Sequence, residues 1–118
     1  MAGFQELIVW QKSMQLAKAV YVLTSKLPIE ERYGLVSQAR RSAVSVPSNI
    51  AEGHGRAMPM DFARFLSIAL GSLRELQTQL ILMRELEFVD SSLELDLCEE
   101  VGKMIHGLTR SLDEAHKN

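Results

Sequence analysis

Apolar residues in this chain recur at alternating steps of three and four, a pattern that predicts helices and no strand. The first helix spans about 5–26, with a stripe of Leu7, Trp10, Met14, Ala17, Tyr21 and Thr24. Pro28 closes it, because the residue before a proline avoids the α region. The second spans about 30–52 on a stripe of Leu35, Ala39, Ala43, Val46 and Ile50. Pro47 lies inside that stripe without putting it out of phase, which predicts a kink and not a break. Gly53 and Gly55 read as a left-handed stop, and Pro59 suits the first turn of the next helix, although Met58 is a poor cap.

The third helix, about 59–86, has the most regular pattern. Phe62, Leu66, Ala69, Leu73, Leu76, Leu80 and Met83 recur with the repeat that goes with near-parallel helix packing. Phe65, Ile68, Ile81 and Leu82 are apolar outside that stripe and predict a second buried face. Ser91-Ser92-Leu93-Glu94 reads as a capping box opening a fourth helix, about 92–114, on Leu97, Val101, Met104, Leu108 and Leu112. Long helices joined by short loops must alternate in direction. The expected fold is therefore all-α, an antiparallel up-and-down four-helix bundle with short loops, in one domain over 1–118.

Length and composition agree: 118 residues, 47% apolar and 24% charged, suit one ordinary globular domain. The single cysteine, Cys98, excludes an intrachain disulfide and a Cys-based zinc site, and reads as a small buried hydrophobe. Met14, Met83 and Met104 fall on the stripes and read as core filling. No basic-then-apolar leader is present, and no apolar run approaches the ~18 residues of a membrane span, so no membrane partner and a cytoplasmic location are expected.

A net charge of −2 excludes the whole-chain polycation of a general nucleic-acid binder. The charge is uneven, however. Residues 32–64 carry Arg32, Arg40, Arg41, Arg56 and Arg64 against Glu52 and Asp61, a balance of +3. Residues 85–100 carry Glu85, Glu87, Asp90, Glu94, Asp96, Glu99 and Glu100 without a base, a balance of −7. Either these are solvated faces, or the basic face of one copy meets the acidic face of another. The second reading, with the spare apolar face of the third helix, predicts a ring of copies in front-to-back contact.

Candidate chemistry concentrates in the second helix. Gln38, Arg41, Ser45, Ser48 and Glu52, with Asn49 beside them, form a polar stripe. Arg64, Ser67, Gly71, Glu75 and Thr78 form a comparable stripe on the third helix. Folding the hairpin about Arg56 brings Arg41 within one turn of Glu75, so a protected Arg41–Glu75 pair inside a small-residue seam is expected. Its first reading is a network that fixes helix register. A rival reading is a small hydrolase or nuclease using Arg41, Ser45, Glu52 and Glu75, though no activated nucleophile or base is evident. A third is an antitoxin-like, partner-binding module.

No catalytic residue, metal ligand or cofactor is assigned. His54, His106 and His116 are scattered, and Gly53-His54-Gly55-Arg56 reads as helix punctuation before it reads as an anion site. Arg32, Arg40 and Arg56 are the candidate nucleic-acid contacts, together with Arg41 beside Arg40. Basic–aromatic interleaving of the kind that stacks single-stranded bases is not visible around Trp10 and Tyr21.

One family matches these elements. Val9-Trp10-Gln11, Glu31-x-Tyr33-Gly34-Leu35-x-x-Gln38-x-Arg40-Arg41 and Ser45-Val46-Pro47-Ser48-Asn49-Ile50-Ala51-Glu52-Gly53 carry the likeness. Phe62-x-x-Phe65-Leu66-x-x-Ala69 and Gly71-Ser72-Leu73-x-Glu75-Leu76-x-Thr78-Gln79-Leu80 extend it over most of residues 9–80. With them the chain resembles the bacterial four-helix-bundle proteins encoded in intervening sequences of 23S ribosomal RNA genes. The resemblance implies an up-and-down bundle, a homopentameric ring and no known enzymatic activity. It also implies a distant likeness to the accessory variability determinant proteins of diversity-generating retroelements, which bind nucleic acid and a reverse transcriptase. RNA or a nucleoprotein is the partner this suggests, besides the chain itself.

Overall fold

A computed structural model describes residues 3–117 as four long helices: α1 (Ile8–Thr24), α2 (Ser37–His54), α3 (Pro59–Glu85) and α4 (Ser92–Lys117). Each packs on the next in sequence, and α4 closes the bundle against α1. The result is an antiparallel up-and-down four-helix bundle of 51 × 21 × 19 Å. Leu16 and Val20 of α1, Val46 and Ile50 of α2, Leu66, Leu73, Leu76, Leu80 and Met83 of α3, and Val101 and Ile105 of α4 fill its interior. Cys98 is buried with them.

The second- and third-helix stripes lie where their periodicity puts them. The first-helix stripe does so only at Ala17 and Thr24, which are buried. Val9, Ser13, Leu16, Val20 and Leu23 face the core, while Trp10 and Met14 are half-buried and Tyr21 is exposed. Apolar residues cover two adjoining edges of α1, and periodicity cannot say which edge faces the interior. In α4 the core row is likewise Cys98, Val101 and Ile105, with Leu97, Met104, Leu108 and Leu112 half-buried at its edge. The helix itself continues to Lys117, past the expected end near Glu114.

Local chemistry explains the other departures. α1 begins only at Ile8, after a 3₁₀ turn over Phe4–Glu6, and ends at Thr24. Regular α-helix in the second segment begins at Ser37; residues 29–36 form a 3₁₀ turn and a π-helical turn, with non-helical backbone angles at Gly34. The Glu31 carboxylate accepts the Leu35 N–H there at 3.3 Å, lying where a Cβ on Gly34 would come within 3.1 Å of it. α2 runs through Pro47 without interruption.

No glycine among the described residues adopts positive φ, so the expected left-handed stop at Gly53 and Gly55 is replaced by a helix that simply ends at His54. The capping box also fails to form. Ser91 turns inward and donates to the Leu80 carbonyl at 2.7 Å, and Asp90 instead accepts the Ser92 N–H at 3.0 Å. The bonds from Ser92 hold the Asp90 carboxyl below the usual carboxylate range. Glu94 is buried, its Oε1 without a hydrogen-bond partner.

Candidate functional site

The helical spacing of small residues on α2 lets it approach α3 closely. Ser45 and Ser72 share a hydrogen bond of 2.8 Å between hydroxyls, and Asn49 donates to the Ser45 carbonyl at 2.8 Å and to its hydroxyl at 3.0 Å. Arg41 and Glu75 lie beside this seam, on the walls of a cleft between the two helices. Both are exposed, and among the described residues no ion pair within 4.0 Å joins them. The expected protected pair is replaced by the Ser45–Ser72–Asn49 network, of which Ser72 was not foreseen.

The remaining stripe residues point outward. Ser48 donates to the Val44 carbonyl at 2.8 Å and Thr78 to the Arg74 carbonyl at 2.9 Å, each on its own helix. Glu52 pairs with Arg56 at 3.0 Å, both exposed. Arg56 and Arg64 also lie over the Phe65 ring, 4.9 and 5.0 Å from its centroid. Arg41, Ser45, Glu52 and Glu75 are thus not gathered around one cleft.

Two clefts instead meet at Tyr33, Ser37 and Arg41. The smaller, about 250 Å³, lies between α2 and α3 and is completed by Gln38, Ser42, Glu75 and Gln79. Gln79 is 8% exposed, and its Oε1 has no hydrogen-bond partner. The larger, about 680 Å³, is completed by Tyr21, Arg32, Val36, Arg40, Val44 and Ser45, with no carboxylate among its walls. Arg40 is fixed there: Nε donates to Thr24 Oγ1 at 2.9 Å, a terminal nitrogen donates to the Tyr21 carbonyl at 3.2 Å, and the guanidinium lies 4.5 Å from the Tyr21 ring centroid. Tyr33 is 87% exposed. The basic–aromatic cluster that linear spacing hides is therefore assembled by the fold, from two helices and the π-helical turn. Of the candidate nucleic-acid contacts it gathers Arg32, Arg40 and Arg41 and leaves out Arg56; Tyr21 and Tyr33 join them only in the fold.

A third depression, about 620 Å³, runs along α1 and α2 and is nearly all apolar. Trp10, Met14, Ala17, Tyr21, Val22, Val44, Pro47 and Ala51 line it, with Lys18 and Ser48 as its polar members. Burial pushes the Cys98 thiol up to about 12, which makes it unsuited to act as a nucleophile. Among the described residues no group of three or more His, Cys, Asp or Glu side chains is placed to hold a metal ion. None of the described helices is long and apolar enough to cross a membrane.

No curated protein is significantly similar to this sequence. The family model described as 23S rRNA-intervening sequence protein matches residues 5–107, from the turn before α1 into the second half of α4. That span takes in the α2–α3 seam, both clefts around Tyr33 and the groove along α1, and the chain belongs to the 23S rRNA-intervening sequence protein family.

Proposed function

We propose that this chain acts without catalysis, as a homo-oligomeric scaffold whose copies form a ring and contact RNA or a nucleoprotein. The subunit number five comes from the family resemblance. One observation carries the self-association: a single small bundle bears two separate apolar surfaces. The first is the groove of α1 and α2, where Val22 is 64% exposed and Val44 43%. The second is on α3 and the residue that follows it, where Ile68, Leu82 and Leu86 are exposed outside the core stripe. Two different patches on one subunit suit a front-to-back contact, which closes into a ring when the rotation allows. Charge favours the same arrangement: Lys18 borders the groove, whereas Glu85 and Glu87 adjoin Leu82 and Leu86.

Multi-angle light scattering tests the reading. A ring of five gives a mass five times the 13.2 kDa of one chain. A single chain at micromolar concentration refutes the scaffold, and a stable dimer refutes the front-to-back geometry. Val22→Glu with Val44→Glu places charge in the groove at positions already wet in one subunit, and is expected to return the protein to the mass of one chain.

A further inference from the structure

We infer that the two clefts meeting at Tyr33 and Arg41 form one binding site for guanine-bearing single-stranded nucleic acid, with the base in the smaller cleft and its flanking phosphates in the larger. This rests on the RNA-contacting part of the function proposed above and gives it a location and a chemistry.

The larger cleft supplies the anion chemistry. Arg32 and Arg41 are exposed and, among the described residues, neither has a carboxylate within 4.0 Å. Arg40 of the same cleft is immobilised on Tyr21, so its charge is present without being free to swing away. Arginines in this setting neutralise phosphodiesters. Tyr33 stands at the junction, its ring almost wholly in water, where an unstacked base can lie against it.

The smaller cleft supplies the acceptors. Its volume of about 250 Å³ is several times the ~30 Å³ share of one water, enough for a planar ring. A Glu75 carboxylate on the cleft wall accepts two parallel N–H groups. Guanine offers such a pair at N1 and N2, and it presents O6 and N7 to an arginine such as Arg41. An acidic segment from a second copy fits less well, because it would bring carboxylates toward Glu75.

Fluorescence anisotropy tests the site with two labelled RNA oligonucleotides at about 50 mM salt, a uridine hexamer and the same hexamer with one central guanine. Wild-type protein is expected to bind the guanine-bearing strand about 10-fold more tightly, the discrimination of one good bidentate contact. Glu75→Gln is expected to abolish that preference while leaving uridine binding intact. Tyr33→Ala is expected to weaken both strands by about 5-fold or more. Arg32→Ala with Arg41→Ala is expected to weaken both and to flatten the salt dependence by about 1.4 in log–log slope, two phosphates' worth. All four side chains are exposed, so the variants keep the fold.

Equal affinity for the two strands overturns the guanine cleft. Binding that all the variants leave unchanged overturns this site while the RNA-contacting reading stands. Absence of binding to either strand overturns both. If the double arginine variant loses subunits in light scattering, the larger cleft is a contact between copies and the proposal falls. The deoxy versions of the strands identify the natural sugar, and the site stands with either preference.

Discussion

The Gly53 backbone of α2 lies directly on Phe65 of α3: a Cβ added at Gly53 would sit 2.6 Å from the Phe65 Cβ and 3.0 Å from Phe62 Cδ1. Both atoms belong to side chains packed near the base of the hairpin, and the nearer is anchored to its own backbone. The helices must therefore separate to admit a methyl group.

Gly53→Ala is expected to destabilise the bundle by about 1 kcal/mol, because overpacking costs about 1–3 kcal/mol, centred at about 2, and alanine's helix propensity returns about 1 kcal/mol. Urea melts measure it. An unchanged or higher midpoint would mean the α2–α3 contact yields freely.

The same seam separates true partners from apparent ones. Ser45→Ala and Ser72→Ala are expected to show a coupling of about 0.5–1.5 kcal/mol in a double-mutant cycle, the value of the hydrogen bond they share. Arg41→Ala and Glu75→Ala, both exposed, are expected to cost under about 0.5 kcal/mol each and to add independently. A strong Arg41–Glu75 coupling would restore the buried-pair reading.

α3 ends with a residue in an unfavourable conformation. Glu87 has φ 61°, while its N–H bonds the Arg84 carbonyl at 2.9 Å and the Phe88 N–H bonds the Met83 carbonyl at 3.0 Å. These two bonds make a Schellman motif whose left-handed position favours glycine. Glu87→Gly is expected to stabilise the protein by about 1 kcal/mol, since the left-handed region costs a side chain about 1–2 kcal/mol. A lower melting midpoint for this variant would contradict the motif.

Cys98 links stability to pH. The folded thiol is pushed by burial from 9.0 to about 12, so above pH 9 the unfolded chain releases a proton that the folded chain retains. Stability from this group is full below that pH and is lost as pH rises toward 12, at up to about 1.4 kcal/mol per pH unit. Urea melts at pH 8 and pH 10 should show a smaller difference for Cys98→Ala than for wild type. A thiol reagent at pH 8 should label Cys98 only as fast as the protein unfolds, and prompt labelling of the native state would refute its burial.

The number, order and approximate limits of the helices, the alternating topology and the core rows of α2 and α3 follow from the sequence alone. Leu35, Ala39, Ala43, Val46 and Ile50 are all buried, because a narrow apolar stripe leaves a helix one way to face the interior. α1 and α4 carry broader apolar arcs, so their rotation is set by the neighbours they meet: Val9 and Leu16 turn inward, and Trp10 and Met14 are left along the groove. Likewise, Gly53 is recognisable in sequence only as a small residue, whereas its contact with Phe65 depends on how α2 and α3 cross. The aromatic side of the basic cleft lay furthest from sequence view, although its arginines, Arg32, Arg40 and Arg41, were legible. Tyr21, Tyr33 and Arg40 come from different segments, and only lateral packing of α1 on α2 lays the Arg40 guanidinium over the Tyr21 ring. Periodicity reports which way a side chain points from its own helix axis; what it meets there is decided by the packing of helices distant in the chain.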